Sequence, residues 1–313
     1  MNKQSDVHLP PLAPIYGSSF PYREALNLKR LIVNADDFGI HPAVNRAVSI
    51  AFEKGILTST SLMAGGEAFD EAVRMARSMP GIGIGVHLTL VGGLSTVLPP
   101  DEVPTLTWEG GHLCNDYLEL LKRDLSGKIS VDDVYREWDA QIRKILNTGL
   151  PVTHLDGHQH MHMWNHFFPV TLALAEKYHI TCMRVPDEKL LFGLHFSPAG
   201  LFRFASKNGL SLMARSHRGE LKKKGIRTND HFWGMMYGGH FYESRMAGIL
   251  SHLEEGVTEF MCHPSADQEA MENTFHWGYE GERELQSLTS PLVRKTIKEQ
   301  GIHLISYKEL GQP

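Results

Sequence analysis

Short apolar runs alternate with helically spaced patterns along almost the whole chain. Residues 30–39, RLIVNADDFG, begin as a continuous apolar run and turn polar at their end. Residues 41–55 then place Val44, Val48, Ala51 and Phe52 at helical spacing and stop at a glycine. Strand-like runs recur at 56–64, 81–90, 153–162, 181–186, 256–264 and 303–307, where β-branched and apolar residues cluster. Helical patterns occupy 67–81, 115–125, 130–148, 165–179 and 290–301, with two shorter ones at 198–206 and 210–217. The stretch 190–230 is the least regular. Residues 91–113, rich in Gly and Pro, read as a long loop, and loops of that length in a compact unit usually carry function or motion.

Repeated strand–helix units imply a parallel sheet with right-handed crossovers, either open and doubly wound or closed into a barrel. The turn after the first strand is NADDFG, which offers carboxylates where an open nucleotide-binding sheet would most often offer a glycine cradle. A parallel β/α barrel therefore fits better. Residues 29–313 are expected to form one barrel-shaped catalytic domain. Residues 1–28 lack the apolar core of a secretion signal and read as a loosely ordered extension, with Tyr16, Phe20 and Tyr22 available to pack on the barrel.

The polar residues sharpen this picture. Asp36 and Asp37 end the first strand, His87 lies near the end of the third, and His154, Asp156, His158, His160 and His162 run through and beyond the next. Arg184 ends TCMRVP and His263 ends GVTEFMCH. In a β/α barrel these strand ends converge on one rim, where active sites sit. Each residue also has a plainer reading. Asp37 could cap the following helix, His87 could be a satisfied core histidine, and Arg184 could form a structural salt bridge. The HxDxHxHxH run is harder to explain by packing. At period two its five side chains would share one face of an extended segment, and burying them without partners is costly. Metal ligation is the natural explanation. A carboxylate with imidazoles from separate strand ends describes a catalytic rather than a structural metal site, suited to Zn²⁺ but also to Mn²⁺, Co²⁺ or Fe²⁺.

Composition narrows the class. The net charge is −5, and the one basic run, Lys222–Lys224, reads as a solvated turn, so nucleic acid is not an expected partner. No stretch approaches the length of a membrane span. Three scattered cysteines, Cys114, Cys182 and Cys262, read as reduced thiols in a cytoplasmic protein. Trp108, Trp164, Trp233 and Trp277 fall in or near predicted loops. No GxGxxG follows a strand, which argues against hydride transfer.

The ordered motifs VNADDFG, GVHLTL, THLDGHQHMH and EFMCHP resemble those of the YdjC/ChbG carbohydrate deacetylases, from about Lys29 to Tyr307. DFGIHPAVNRAV, LPPDEVPTL and TNDHFWGMMYGG look like the branch associated with hopanoid biosynthesis. The resemblance implies a distorted, TIM-like β/α barrel related to the NodB-type deacetylases. It also implies one divalent metal (zinc first, with magnesium, manganese or cobalt as alternatives) on Asp37, His87 and His158. Asp36 would be the catalytic base and His263 the general acid. His154, Asp156, His160, His162, Arg184 and Trp164 would orient these groups or touch substrate. The substrate would be an N-acetylated sugar, whether a chitooligosaccharide, another glycan or a glycolipid, and the protein a homodimer. Gly157 stands where serine is usual, which removes a hydroxyl beside the ligand histidine. A different metal hydrolase such as a phosphodiesterase, or a non-catalytic metal- or sugar-binding relative, is the rival expectation; Asp36 together with His263 favours catalysis.

Overall fold

The computed structural model describes residues 28–108, 110–190 and 198–312; residues 1–27 of the expected N-terminal extension lie outside the described residues. The elements run β1 (Lys29–Phe38), α1 (Pro42–Lys54), β2 (Ser59–Leu62), α2 (Phe69–Ala76), β3 (Gly83–Leu88), α3 (Tyr117–Leu125) and α4 (Val131–Leu146). They continue with β4 (Val152–Gly157), a 3-10 turn (His158–Met163), α5 (Phe168–Lys177), α6 (Pro198–Lys223), β5 (His231–Trp233) and α7 (Glu243–Leu250). The chain closes with β6 (Gly256–Cys262), α8 (Gln268–Phe275), α9 (Gly281–Leu288), α10 (Pro291–Glu299), β7 (His303–Leu304) and α11 (Tyr307–Leu310).

The strands are all parallel, in the order β4-β3-β2-β1-β6-β5, with β7 pairing the start of β1. From β4 the ring continues by single bridges, Leu155 to Met183, Cys182 to Arg227 and Glu188 to Phe232, which lead back to β5. The result is a distorted parallel β/α barrel. TCMRVP belongs to this irregular arc and makes isolated bridges rather than a full strand.

Buried apolar side chains explain why the elements pack as they do. β1 buries its last eight residues, as a barrel stave covered on both faces must. α4 begins at Ser130, whose side chain accepts from the Asp133 amide, and buries Val134, Trp138, Ile142 and Ile145 at helical spacing. α4 also anchors the 91–113 stretch. Glu137 accepts from the amides of Val97 (2.8 Å) and Leu98 (3.1 Å), and Asp133 from that of Thr105 (2.9 Å).

Three expectations change. The two short helices expected between 198 and 217 are one long helix, α6. Lys207, Ser211, Ala214 and Leu221 form a buried stripe through it, so tertiary packing outweighs the roughly 1 kcal/mol cost of the mid-helix Gly209. The segments 231–233, 243–250, 268–275 and 281–288 also form elements that the pattern did not suggest. The strand expected at 153–162 ends at Gly157, because Gln159 and His160 both adopt left-handed backbone (φ 50° and 60°).

Gly85 shows how tightly the staves are fitted. It pairs with His154 across β3 and β4, and a Cβ at this position would meet the imidazole Nε2 at 2.3 Å. That ring is itself stacked on Tyr307, with centroids 3.8 Å apart. Gly85→Ala is expected to cost about 1–3 kcal/mol of unfolding free energy, the usual scale of overpacking. Urea denaturation of the variant measures it, and a value within about 0.3 kcal/mol of the original would show that the ring can move freely.

Candidate active site

The two aspartates at the end of β1 are adjacent in sequence, and in a regular strand they would point to opposite faces. A bulge resolves this. Ala35 pairs with Thr60 and Phe38 with Leu62, so Asp36 and Asp37 together oppose Ser61 alone. Asp37 has φ 64°, a left-handed conformation rare for a side chain other than glycine and a form of local strain typical of functional positions. The helix-cap reading of Asp37 gives way, since α1 is capped by His41, whose Nδ1 accepts from the Ala43 amide (3.1 Å).

Asp37, His87 and His158 converge, with one donor atom from each lying within 4.8 Å of the others. Asp37 Oδ1 is 2.9 Å from His158 Nδ1 and 3.3 Å from His87 Nε2. His87 Nδ1 is 2.8 Å from Asp156 Oδ1, which fixes the ring and leaves Nε2 facing the other two donors. This carboxylate–imidazole pairing is the usual support for a metal-bound histidine. All three candidate ligands are buried, and His158 Nε2 has no hydrogen-bond partner among the described residues. The electrostatics call for positive charge here. Burial alone would push the His87 pKa down, but the charges of Asp156 and Asp36 pull it up to about 10. Burial likewise opposes the charge on Asp37, yet His158 and His87 hold its carboxyl well below the usual range. The donor chemistry and this charge balance both fit a divalent cation.

Behind the aspartates lies Arg184, fully buried. Its Nη1 donates to Asp36 Oδ2 (2.6 Å), its Nη2 to Asp36 Oδ1 (2.7 Å) and its Nε to Glu259 Oε1 (2.8 Å), while Asp156 Oδ2 is 3.0 Å from Nη2. Burial pushes the Glu259 carboxyl up to about 7 despite Arg184 and the Tyr307 hydroxyl that donates to it (2.6 Å). His263 follows β6, and its backbone amide donates to the buried Glu284 (2.5 Å). Gly238 backs its ring at Nδ1, which has no hydrogen-bond partner among the described residues. Burial lowers the His263 pKa against the pull of Asp37 and Asp36. His263, Asp36 and Asp37 line one cavity with Gln268, Trp277 and Tyr279.

The period-two reading of the histidine run is corrected by this geometry, because the break after Gly157 sends its members apart. His154 packs under Tyr307, and burial pushes its pKa down to about 3. His160 sits edge-on to Phe232 (5.7 Å), and burial holds it well below its usual range. His162 Nε2 lies 3.1 Å from the Arg184 carbonyl, and burial pushes it down to about 4. Neither His160 nor His162 belongs to the ligand group. Gly157 has a local reason, since a Cβ there would meet His162 Nδ1 at 3.0 Å and the Leu88 carbonyl at 3.1 Å. Trp164 donates to Asp124 (2.7 Å), and Trp108 packs under the Arg123 guanidinium (3.9 Å). Of the four tryptophans, Trp277 lines the cavity, 6.0 Å from the His158 ring.

Pattern reading did not single out Asn34, Ser61, Glu259 or Tyr279. Asn34 carried a usable signal: it lies two residues before Asp36 on the same face of β1.

Barrel and site together define a β/α-barrel protein with a carboxylate–imidazole centre at the strand ends, open to a cavity. Residues 30–299 match the family of YdjC-like proteins, and the chain belongs to that family. It is 32% identical to a carbohydrate deacetylase of Enterococcus faecalis over 90% of this chain and 98% of that protein. It is 31% identical to a carbohydrate deacetylase of Geobacillus stearothermophilus over 89% and 96%. Among solved structures it is similar to a candidate cellobiose-phosphate cleavage protein of E. faecalis V583 (TM-score 0.70, 30% identity, 91% of this chain and 100% of that one).

Equilibration with zinc followed by elemental analysis tests the ligand set. The intact protein is expected to retain about one zinc per chain, and Asp37→Asn or His158→Ala to bind at least about tenfold more weakly. Undiminished binding in both variants would place the metal elsewhere.

Proposed function

We propose that the protein hydrolyses the acetamide of an N-acetylated amino sugar, releasing acetate and a free amine. The observation that carries this reading is the meeting of Asp36 and His263 in the wall of one cavity beside Asp37, His87 and His158. The names of the relatives and the family membership support it. A divalent cation on those three residues, zinc by preference, would supply Lewis acidity toward a carbonyl oxygen and toward water.

The chain's own groups supply the proton chemistry. Asp36 takes a proton from the attacking water as its oxygen bonds to the acetamide carbon. Arg184 grips both oxygens of Asp36 and holds the carboxylate in line. His263 then passes a proton to the nitrogen as the C–N bond breaks; burial lowers its pKa, while the charges of Asp37 and Asp36 favour the protonated ring that must act as donor. Asp156 orients His87. His154, His160 and His162 act at a distance by packing the strand ends, and Trp277 offers a ring face to the sugar.

A phosphorylated disaccharide, as the structural relative's description would suggest, fits less well. Among the described residues the cavity wall holds no lysine or arginine to pair with a phosphate. The same argument weighs against a phosphodiesterase. The proposal extends to a cytoplasmic homodimer whose catalytic domain spans residues 29–313. Three free, buried cysteines support a reducing compartment, and the dimer rests on family resemblance. Among the described residues no helix is long and apolar enough to cross a membrane.

Acetate release from N-acetylglucosamine oligosaccharides, and from a glycolipid carrying the same sugar, is the test. The zinc-loaded protein is expected to release acetate and to lose this activity on chelation. Asp36→Asn and His263→Ala are each expected to lower kcat by about 10²–10⁴-fold. Stoichiometric zinc without acetate from any acetylated glycan or glycolipid would refute the reaction.

A further inference from the structure

Asp36 owes its geometry to a third donor besides the two guanidinium nitrogens. Asn34, fully buried on the same face of β1, directs its amide nitrogen at two acceptors, Asp36 Oδ1 (2.8 Å) and Ser61 Oγ (2.8 Å). Ser61 passes the connection on, donating to Asp156 Oδ2 (2.5 Å), and Asp156 in turn holds His87. A single chain of contacts therefore joins the proposed base to a proposed metal ligand: Asp36, Asn34, Ser61, Asp156, His87. The bulge that brings Asp36 and Asp37 to one side is the same feature that sets Ser61 opposite both of them.

The orientation of Asn34 is dictated by chemistry. Turned over, its carbonyl would face the Asp36 carboxylate, which offers it no proton while bound to Arg184. In the observed orientation Asn34 Oδ1 is left buried with no hydrogen-bond partner among the described residues. An unsatisfied buried carbonyl costs stability, so packing alone gives no reason to keep an asparagine here. What the residue accomplishes is selection between the two oxygens of Asp36. Oδ1 takes donors from both Asn34 and Arg184 and is saturated, whereas Oδ2 takes one, from Arg184 Nη1. The remaining lone pair is on Oδ2, the oxygen 3.9 Å from His87 Nε2.

We infer that Asn34 is a positioning residue for the hydrolysis: with Ser61 it locks Asp36 so that only Oδ2 can accept a proton, and it ties that oxygen in register with the ligand His87. This rests on the deacetylase reading for its rate consequence, but not for its consequence for metal binding. Asn34 itself is neither in the candidate ligand group nor in the wall of the cavity.

The test compares Asn34→Asp, Asn34→Ala and Ser61→Ala with the original protein. The readouts are kcat and KM for acetate release at saturating zinc, zinc affinity and thermal melting. Both Asn34 variants are expected to lower kcat by on the order of 100-fold while KM stays within about twofold. Ser61→Ala is expected to weaken zinc binding by about tenfold or more, because Asp156, which orients His87, loses one of its donors. If Asn34→Ala fails to fold, Asn34→Asp, which keeps the shape and removes an N–H donor, carries the kinetic arm. Asn34 variants that keep kcat within about threefold overturn the proposal, as does a kcat loss that merely follows a lower melting temperature and a raised KM. Should the original protein release no acetate, the deacetylase reading fails on its own. The zinc arm still decides the network, and unchanged affinity in Ser61→Ala overturns it.

Discussion

A single buried guanidinium holds the centre of this molecule together. Arg184 faces Asp36, Asp156 and Glu259, three carboxylates contributed by β1, β4 and β6, and all four side chains are shut off from solvent. Carboxylates so crowded in a low-dielectric interior would repel one another strongly without a cation among them. The positive charge lets the strands close around their own acids. Removing it would leave several buried negative charges uncompensated, which is far costlier than losing a surface salt bridge.

This arrangement divides the labour among acids of the same type. Asp36 and Asp156 face the guanidinium, whereas Asp37 turns the other way, toward two imidazoles. The bulge and the left-handed φ at Asp37 make the division possible, because a regular strand would have separated the neighbouring carboxylates by a full sheet thickness. A fixed positive centre, Arg184, thus stands beside a cluster of donors suited to an exchangeable cation. Asp156 spans them, since one of its oxygens meets Arg184 and the other meets His87.

Much of this was legible in the chain itself. Alternating apolar runs and helical patterns pointed to the barrel, and polar residues at strand exits pointed to the rim, because both follow from local periodicity. Polar residues at separate strand ends were expected to meet, and Asp37, His87 and His158, the three that the family motifs singled out, do lie together. What escaped notice depends on contacts distant in sequence. Ser61 looks like an ordinary strand residue until β1 and β2 are paired. Helix α8 buries no residue and α9 buries Leu288 as its one large apolar side chain, so no apolar stripe announces either. The histidine run misled for a local reason. Its period-two spacing suits a strand, yet Gln159 and His160 both adopt left-handed backbone, and His158 alone of its last three histidines reaches the ligand group.

The central claim is that the exchangeable cation is a metal ion seated between Asp37, His87 and His158. Anomalous X-ray diffraction from zinc-equilibrated crystals, recorded on both sides of the zinc absorption edge, tests it most directly. The account predicts one strong edge-dependent peak within bonding distance of donor atoms from all three residues, about 2.0–2.2 Å for nitrogen and oxygen ligands. A peak bound elsewhere, or none at that position in zinc-saturated protein, would contradict it.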